Sequence, residues 1–418
     1  MARIGIDYTS AARQRAGIGR YTRELVSALL ALESPHQYVI FAATGGKRQG
    51  GKETRRQGDG GQGTEGRKQE ARRPDSASCV LHLASNIQHP TSSIQYRVRT
   101  LPISDDWLAR LWHRLRLPVP VEVVTGPLDV FYSPDFVLPP THRSTRTLLT
   151  VHDLSFLHCP EAFVPALRQY LERVVPRSIA RADLVLADSA STRSDIVSLL
   201  GASPSKVQVL YSGVSPHFRP QAEPGEWERL RTRYGLGERP YVLSVGTLQP
   251  RKNYVRLVRA FASLKPEVLA PGTQLLIAGG QGWLYQEILA EAEKHGERVR
   301  SLGFVDDADL PALYRHAALF AFPSLYEGFG LPALEAMACG VPVVCSDASS
   351  LPEVAGDAAL LVDPLDTDGL AAAIARALAD GDLRQGMIAR GLAQAARFTW
   401  KQAARQLLGV FDTLGSKA

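Results

Sequence analysis

A chain of 418 residues that is 45% hydrophobic can bury substantial cores, and at about 100–200 residues per domain it divides most naturally into two domains. The formal charge of +6 does not argue for a nucleic-acid partner, because residues 44–77, with nine Lys/Arg and five Asp/Glu, supply +4 of it. No run approaches the roughly 20 apolar residues of a membrane span. The cysteines Cys79, Cys159, Cys339 and Cys345 show no CxxC or other metal-ligand spacing, so reduced thiols in a cytoplasmic protein are expected.

In chain order, "RIGID" reads as a first strand with no apolar leader before it, so no signal peptide is expected. "GIGRY", Gly17 to Tyr21, opens a helix after the loop that follows. It is not a dinucleotide fingerprint: Thr22 occupies the third glycine position and the loop is too long for a tight turn. Gly17 and Gly19 can still bring backbone close to a ligand. "YVIFAA" is the next strand. Thr44 to Ala77 then holds nine glycines and no Val, Ile, Leu, Met or aromatic residue, the composition of a disordered insertion.

"DDWLARLWHRLRLP", Asp105 to Pro118, places Trp107, Leu108, Leu111, Trp112 and Leu115 at helical spacing among Arg110, Arg114 and Arg116. That pattern fits a helix lying in a bilayer interface and equally one packed on its own sheet. "LDVFYSP", "RTLLTVHD", "DLVLADS" and "KVQVLYSG" continue the strands, with "VPALRQYLERVVPRSIARA" among the intervening helices. His152 and Asp153 fall at the carboxyl end of a strand, the edge where such sheets bind ligands.

The Pro- and Gly-rich link Ser215 to Trp227 marks a boundary, giving a first domain of residues 1–215 and a second of 216–400, with 401–418 a terminal helix that could cross back. The second half repeats the alternation: "YVLSVGT", "QLLIAGG", "RVRSLGF", "LFAFPS", "PVVCSD" and "AALLVDP" are separated by helical stretches. The fold class is therefore α/β, two doubly wound Rossmann-like domains of parallel strands facing across a cleft.

The second half also carries the chemistry. In "SVGTLQPRKNYVRL", Arg251 and Lys252 stand side by side at a helix start, unfavourable with the dipole unless an anion sits there. In "SLYEGFGLPALEAMACG", Glu327 precedes the turn Gly328-Phe329-Gly330, Leu331 begins a helix, and Glu335 lies inside it. A glycine turn feeding a helix N-terminus suits a phosphate or diphosphate, while carboxylates suit hydroxyls. A nucleotide sugar combines both groups, whereas surface salt bridges would explain the same spacing without a ligand. The DxD strings at Asp307/Asp309 and Asp366/Asp368 open helices and read as caps rather than metal ligands.

With "GIGRY", "VHDLSFLHCPEAF", "VGTLQPRKN", "FPSLYEGFGLPALEAMACGVPVV" and "SLPEVAGDAALLVDP" in this order, the chain resembles the retaining group 1 (family 4) glycosyltransferases of GT-B fold, in particular their mannosyltransferase-B-like subgroup. The resemblance spans nearly all of the chain outside 44–77. It implies a nucleotide-sugar donor, GDP-mannose favoured and a UDP-sugar the second choice, and a glycan or lipid-linked acceptor. It implies no metal and no cofactor beyond that co-substrate. Glu327 would bind donor-sugar hydroxyls and Glu335 the ribose, with the turn backbone at Phe329, Gly330 and Leu331, plus Arg251 and Lys252, on the diphosphate. His152 would lie near the anomeric carbon, and Gly17 and Gly19 near phosphate or acceptor. Thr247 stands where many relatives have an arginine. Relatives that extend lipid-linked glycans at the inner membrane face make peripheral membrane contact part of the expectation. The rival readings are a GT-B-like sugar-nucleotide epimerase and a non-catalytic sugar-nucleotide-binding protein.

Overall fold

Strands buried on both faces need helices above and below, and the alternating sequence supplies them in both halves. The first sheet contains β1 (Arg3–Asp7), β2 (Gln37–Ala43), β3 (Gln95–Leu101), β4 (Val130–Ser133), β5 (Arg146–Val151), β6 (Leu184–Ala187) and β7 (Val207–Val209). All its pairings are parallel, in the order β3-β2-β1-β4-β5-β6-β7. The second sheet holds β8 (Tyr241–Val245), β9 (Gln274–Ala278), β10 (Val299–Gly303), β11 (Leu319–Phe322), β12 (Val343–Ser346) and β13 (Ala359–Val362). It is also parallel, in the order β10-β9-β8-β11-β12-β13. In each sheet the order reverses beside the first strand, at β1/β4 and at β8/β11. Crevices at such switch points bind ligands.

This computed structural model describes residues 1–14, 17–45, 95–104, 107–108, 112, 117–265, 267 and 269–416. The expected disordered insertion lies outside them, apart from Thr44 and Gly45, as does most of 105–118. Within that second stretch, Leu108 is buried in the first-sheet core, Trp112 packs partly against the same core, and Trp107 is 56% exposed. Trp112 Nε1 donates to Val119 O at 3.0 Å. Among the described residues no helix is long and apolar enough to cross a membrane.

β3 was not expected. "QYRVRTL" shows alternating exposure, and Arg97 and Arg99 give it no apolar run. It forms through seven residues of parallel register with β2, from Gln37↔Gln95 to Ala43↔Leu101, at the edge of the sheet.

The helix Trp400–Gly415 begins with a capping box, Thr399 with Gln402. Its apolar stripe, including Trp400, Leu407, Phe411 and Leu414, joins Ile4, Leu25 and Tyr132 in one core cluster, so a helix that follows the second sheet completes the first sheet's packing. On its way back the chain runs beside the link between the sheets: Val214 N–H donates to Phe398 O at 3.0 Å, and Val214 forms a parallel bridge with Thr399. Gly213 is obligatory there, because a Cβ would lie 2.1 Å from Trp400 N.

The two acidic pairs behave differently. Asp366 caps its helix as expected, accepting from Gly369 N–H at 2.9 Å. Asp309 does not cap. Its side chain is buried and accepts from Arg229 Nε (2.9 Å), Arg233 (2.6 Å) and the Tyr234 hydroxyl (2.9 Å). Two guanidinium groups outcompete the helix amides for that carboxylate.

Candidate active site

The loops leaving β8 and β11, neighbours in the sheet, bring the cations and the first glutamate together. Pro250–Lys252 forms a short 3-10 turn after β8, and the helix Tyr254–Ala262 starts only beyond Asn253, held left-handed at φ 60°. Asn253 Nδ2 fixes this turn by donating to Pro323 O (2.9 Å) and Pro364 O (2.7 Å). Arg251 and Lys252 therefore precede the helix rather than open it. Glu327 sits on both of them, 3.0 Å from Arg251 and 2.5 Å from Lys252 Nζ. Lys252 Nζ also lies 4.8 Å from the centre of the Phe322 ring. The anion that the cation pair calls for is thus an internal carboxylate.

Burial alone would raise the Glu327 pKa, but Arg251 and Lys252 outweigh it and hold the group at about 2. Burial lowers the pKa of Lys252, and Glu327 opposes that shift. Backbone bonds complete the arrangement. Glu327 N–H donates to Ser349 Oγ at 2.8 Å, while Ser350 Oγ donates to the carbonyls of Glu327 and Phe329 at 2.9 and 2.8 Å.

The glycine turn fits where no side chain could. A Cβ on Gly328 would lie 1.9 Å from the carbonyl oxygen of His152, so here the two halves of the protein touch backbone to backbone. Gly330 has φ +107°, and its Cβ would meet Leu351 at 2.5 Å. Phe329 is buried against Tyr211 and Phe398, and Leu331 begins the helix Leu331–Ala338 between the cores of both sheets. Pro332 brings no N–H to the first turn of this helix, and the N–H groups of Ala333 and Leu334 bond to Gly330 O at 3.0 and 3.4 Å.

Glu335, inside that helix, is buried and takes a hydrogen bond from the Tyr314 hydroxyl at 3.1 Å. Its only ion pair among the described residues is Arg20, at 2.9 Å, which reaches over from the first half. Burial raises the Glu335 pKa to about 7, and the single cation does not reverse it. Arg20 also stands 4.9 Å from the centre of the Phe218 ring.

His152, at the carboxyl end of β5, is buried between two acceptors: Nδ1 is 2.8 Å from Asp188 and Nε2 is 3.2 Å from Pro134 O. Both ring nitrogens therefore act as donors. Burial lowers its pKa, but Asp188 and the carbonyl of Pro134 carry it up to about 9. Tyr21 and Phe136 stand edge-on to the ring, 4.8 and 5.5 Å away.

Around the first glycine loop the structure shifts the emphasis. Gly17 caps the helix Ile18–Leu30 with φ 59° and nothing near its missing Cβ. Gly19 is required by its own chain, since a Cβ would lie 2.2 Å from Gln14 O. The group that crosses from this loop is Arg20. Arg20, Tyr314 and Asp188 carry no sequence signal, because nothing in local spacing connects them to Glu335 and His152.

Two facing parallel sheets, with carboxylates and cations gathered at their switch points, define a glycosyltransferase of GT-B architecture. The family description "Glycosyl transferases group 1" matches residues 228–394 and "Glycosyltransferase Family 4" matches residues 15–218, and the chain belongs to this family. It is 39% identical over 288 residues to the O-antigen chain mannosyltransferase B of Escherichia coli, covering 68% of this chain and 74% of that one. It is 32% identical over 284 residues to the serotype-specific mannosyltransferase of Escherichia coli, but spans only 34% of that longer protein and is matched over 66% of its own length. In fold it resembles sucrose-phosphate synthase from Thermosynechococcus elongatus (TM-score 0.69, 20% identity, all of both chains). Anabaena HepE in complex with UDP and glucose is similar in fold (TM-score 0.68, 19% identity, 99% of this chain and 100% of that one).

Proposed function

We propose that the protein transfers a mannosyl group from a nucleotide-diphosphate donor, GDP-mannose before a UDP-sugar, to a hydroxyl of a glycan or lipid-linked acceptor, with retention of configuration and without a metal. The carrying observation is the pairing of ionised Glu327 with Arg251 and Lys252 beside a glycine turn that opens the Glu335 helix. The likeness to an O-antigen mannosyltransferase supports the choice of sugar.

In this reading Glu327 accepts hydrogen bonds from donor-sugar hydroxyls and Glu335 from the ribose. Arg251 and Lys252 turn part of their charge to the diphosphate, assisted by the turn amides at Phe329, Gly330 and Leu331. Imidazolium His152 stabilises negative charge as the leaving group departs. The acceptor hydroxyl attacks on the face the nucleotide leaves, and a phosphate oxygen takes its proton. Gly17 and Gly19 shape the loop that carries Arg20 to the donor side.

The test is a thermal-shift panel of nucleotide sugars followed by transfer assays with and without EDTA, with the product anomer read by NMR. GDP-mannose should give the largest shift, EDTA should change nothing, and the product should keep the donor's anomeric configuration. An inverted product or a manganese requirement would overturn this mechanism. Epimerised donor in the absence of acceptor would favour the epimerase.

A second part of the proposal concerns the membrane. Trp107, Leu117, Val119 and Val123 are exposed, at 56, 41, 48 and 72%, within a short stretch rich in arginine. We propose that this surface docks reversibly on anionic bilayers, bringing the acceptor to the cleft. Co-sedimentation with anionic liposomes should fall on Trp107→Ala and on Arg110/Arg114/Arg116→Glu. Binding indifferent to both changes and to lipid charge would remove the idea.

A further inference from the structure

The helix Ala190–Leu200 belongs to the first half of the chain yet lies along the Gly-Phe-Gly turn of the second. Near its start, Thr192 Oγ1 is 3.3 Å from both Gly328 O and His152 O. Three residues later, on the same helix face, Asp195 accepts a hydrogen bond from the Tyr326 hydroxyl across the interface. The same carboxylate oxygen is 3.0 Å from His158 Nε2. The His158 ring stacks on that of Tyr326, with centroids 4.7 Å apart and planes at 18°.

Tyr326 is buried and directly precedes Glu327. Its carbonyl accepts a hydrogen bond from Arg251, the guanidinium that also pairs with Glu327. Its hydroxyl is therefore held by Asp195, its ring by His158 and its carbonyl by Arg251. Without the first half, only the last of these anchors remains. The residue before Glu327 is thus tied to a carboxylate in the other half of the protein, in addition to the bonds that Ser349 and Ser350 make to Glu327 itself.

We propose that Asp195 is a positioning residue which, through Tyr326, completes the placement of Glu327 when the two halves are docked. The proposal rests on the reading of Glu327 as a donor-sugar contact. It assigns to Asp195 and Tyr326 a role in the turnover step rather than in donor capture, because the Tyr326 hydroxyl bonds Asp195, whereas Arg251 bonds the Tyr326 carbonyl and Lys252 bonds Glu327.

The test uses the full-length chain with Tyr326→Phe, which keeps the ring and removes only the hydroxyl, with Asp195→Asn, and with the double variant. Each single change should lower kcat about tenfold while leaving donor KM within about twofold, and the double variant should also lose about tenfold rather than a hundredfold. Single variants with unchanged kcat, or a fully additive double variant, would overturn the proposal, as would a fall in melting temperature without a kinetic effect. Hydrogen exchange over residues 325–331 provides an arm independent of activity. It should quicken about equally in all three variants, and unchanged exchange would overturn the latch. If the wild type transfers no sugar from any nucleotide donor, the proposed function fails, and the exchange arm alone then decides whether Asp195 holds the turn.

Discussion

Glu327 and Glu335 are both buried at one crevice, at either side of one helix start, yet they are driven in opposite directions: Glu327 is held at about 2 and Glu335 is raised to about 7. Burial acts the same way on both. The difference lies in the cations and in where they come from. Glu327 has Arg251 and Lys252, delivered by the adjacent β8 turn, so its charge is built into one half of the molecule. Among the described residues Glu335 has Arg20 alone, delivered from the facing half, so its charge depends on how the halves sit. The same residue type thus serves as a permanent anion at one position and a conditional one eight residues later.

The largest effect should come from breaking the permanent anion. Glu327→Gln leaves the nearly buried Arg251 and Lys252 without their counter-charge, and removing one partner of such a cluster costs about 3–5 kcal/mol. Thermal unfolding should shift down by several degrees, with loss of transfer, and a variant that melts like the wild type would show that the three groups do not act as a unit.

The next effect tests the conditional anion through pH. The folded-state pKa of Glu335 lies above its ordinary 4.5, so the folded chain holds the extra proton. The associated stability is present below pH 4.5 and is lost as the pH rises to about 7, a swing on the order of 3 kcal/mol. Glu327 has the opposite sign, since its stability is present above pH 4.5 and is lost only as the pH falls toward 2. Denaturant unfolding at pH 5 and pH 8 should show Glu335→Gln gaining on the wild type at the higher pH. Arg20→Ala should lose most at pH 8 and little at pH 5. A pH-independent difference in either variant would contradict the contrast drawn between the two glutamates.

The smallest effect provides a control outside the crevice. Asp366→Ala removes an exposed helix cap and should cost about 1 kcal/mol with no change in transfer. Any kinetic effect there would mean that stability alone, and not the crevice chemistry, governs the other variants.

How much of this could be read beforehand follows from how local each signal is. The inner strands of the second sheet, β8, β9, β11 and β12, are legible as short apolar runs, because parallel strands covered on both faces leave little room for polar residues, and the edge strands β10 and β13 follow from the alternation around them. β3 is not, since an edge strand with alternating arginines lacks that signature and forms only through its register with β2. Glu327, Glu335, Arg251 and Lys252 stand out because two carboxylates around a glycine turn, and two cations before a helix, are unfavourable without partners. That Glu327 and the cations are one another's partners is tertiary information. So are Arg20 beside Glu335, and Asp309 turned away from its helix toward Arg229 and Arg233.

The paired segments at Val214 and Thr399 have a consequence for how the halves can move. The chain crosses between them twice, and the crossings lie side by side, with Gly213 pressed against Trp400. Two adjacent crossings should resist relative twisting more than a single link would, so any relative movement of the halves should pivot there. The helix Trp400–Gly415 sits in the core of the first half while being continuous with the second. A protease nick in the exposed link 219–225 would therefore leave two fragments that still travel together, clasped by a helix belonging covalently to one and structurally to the other.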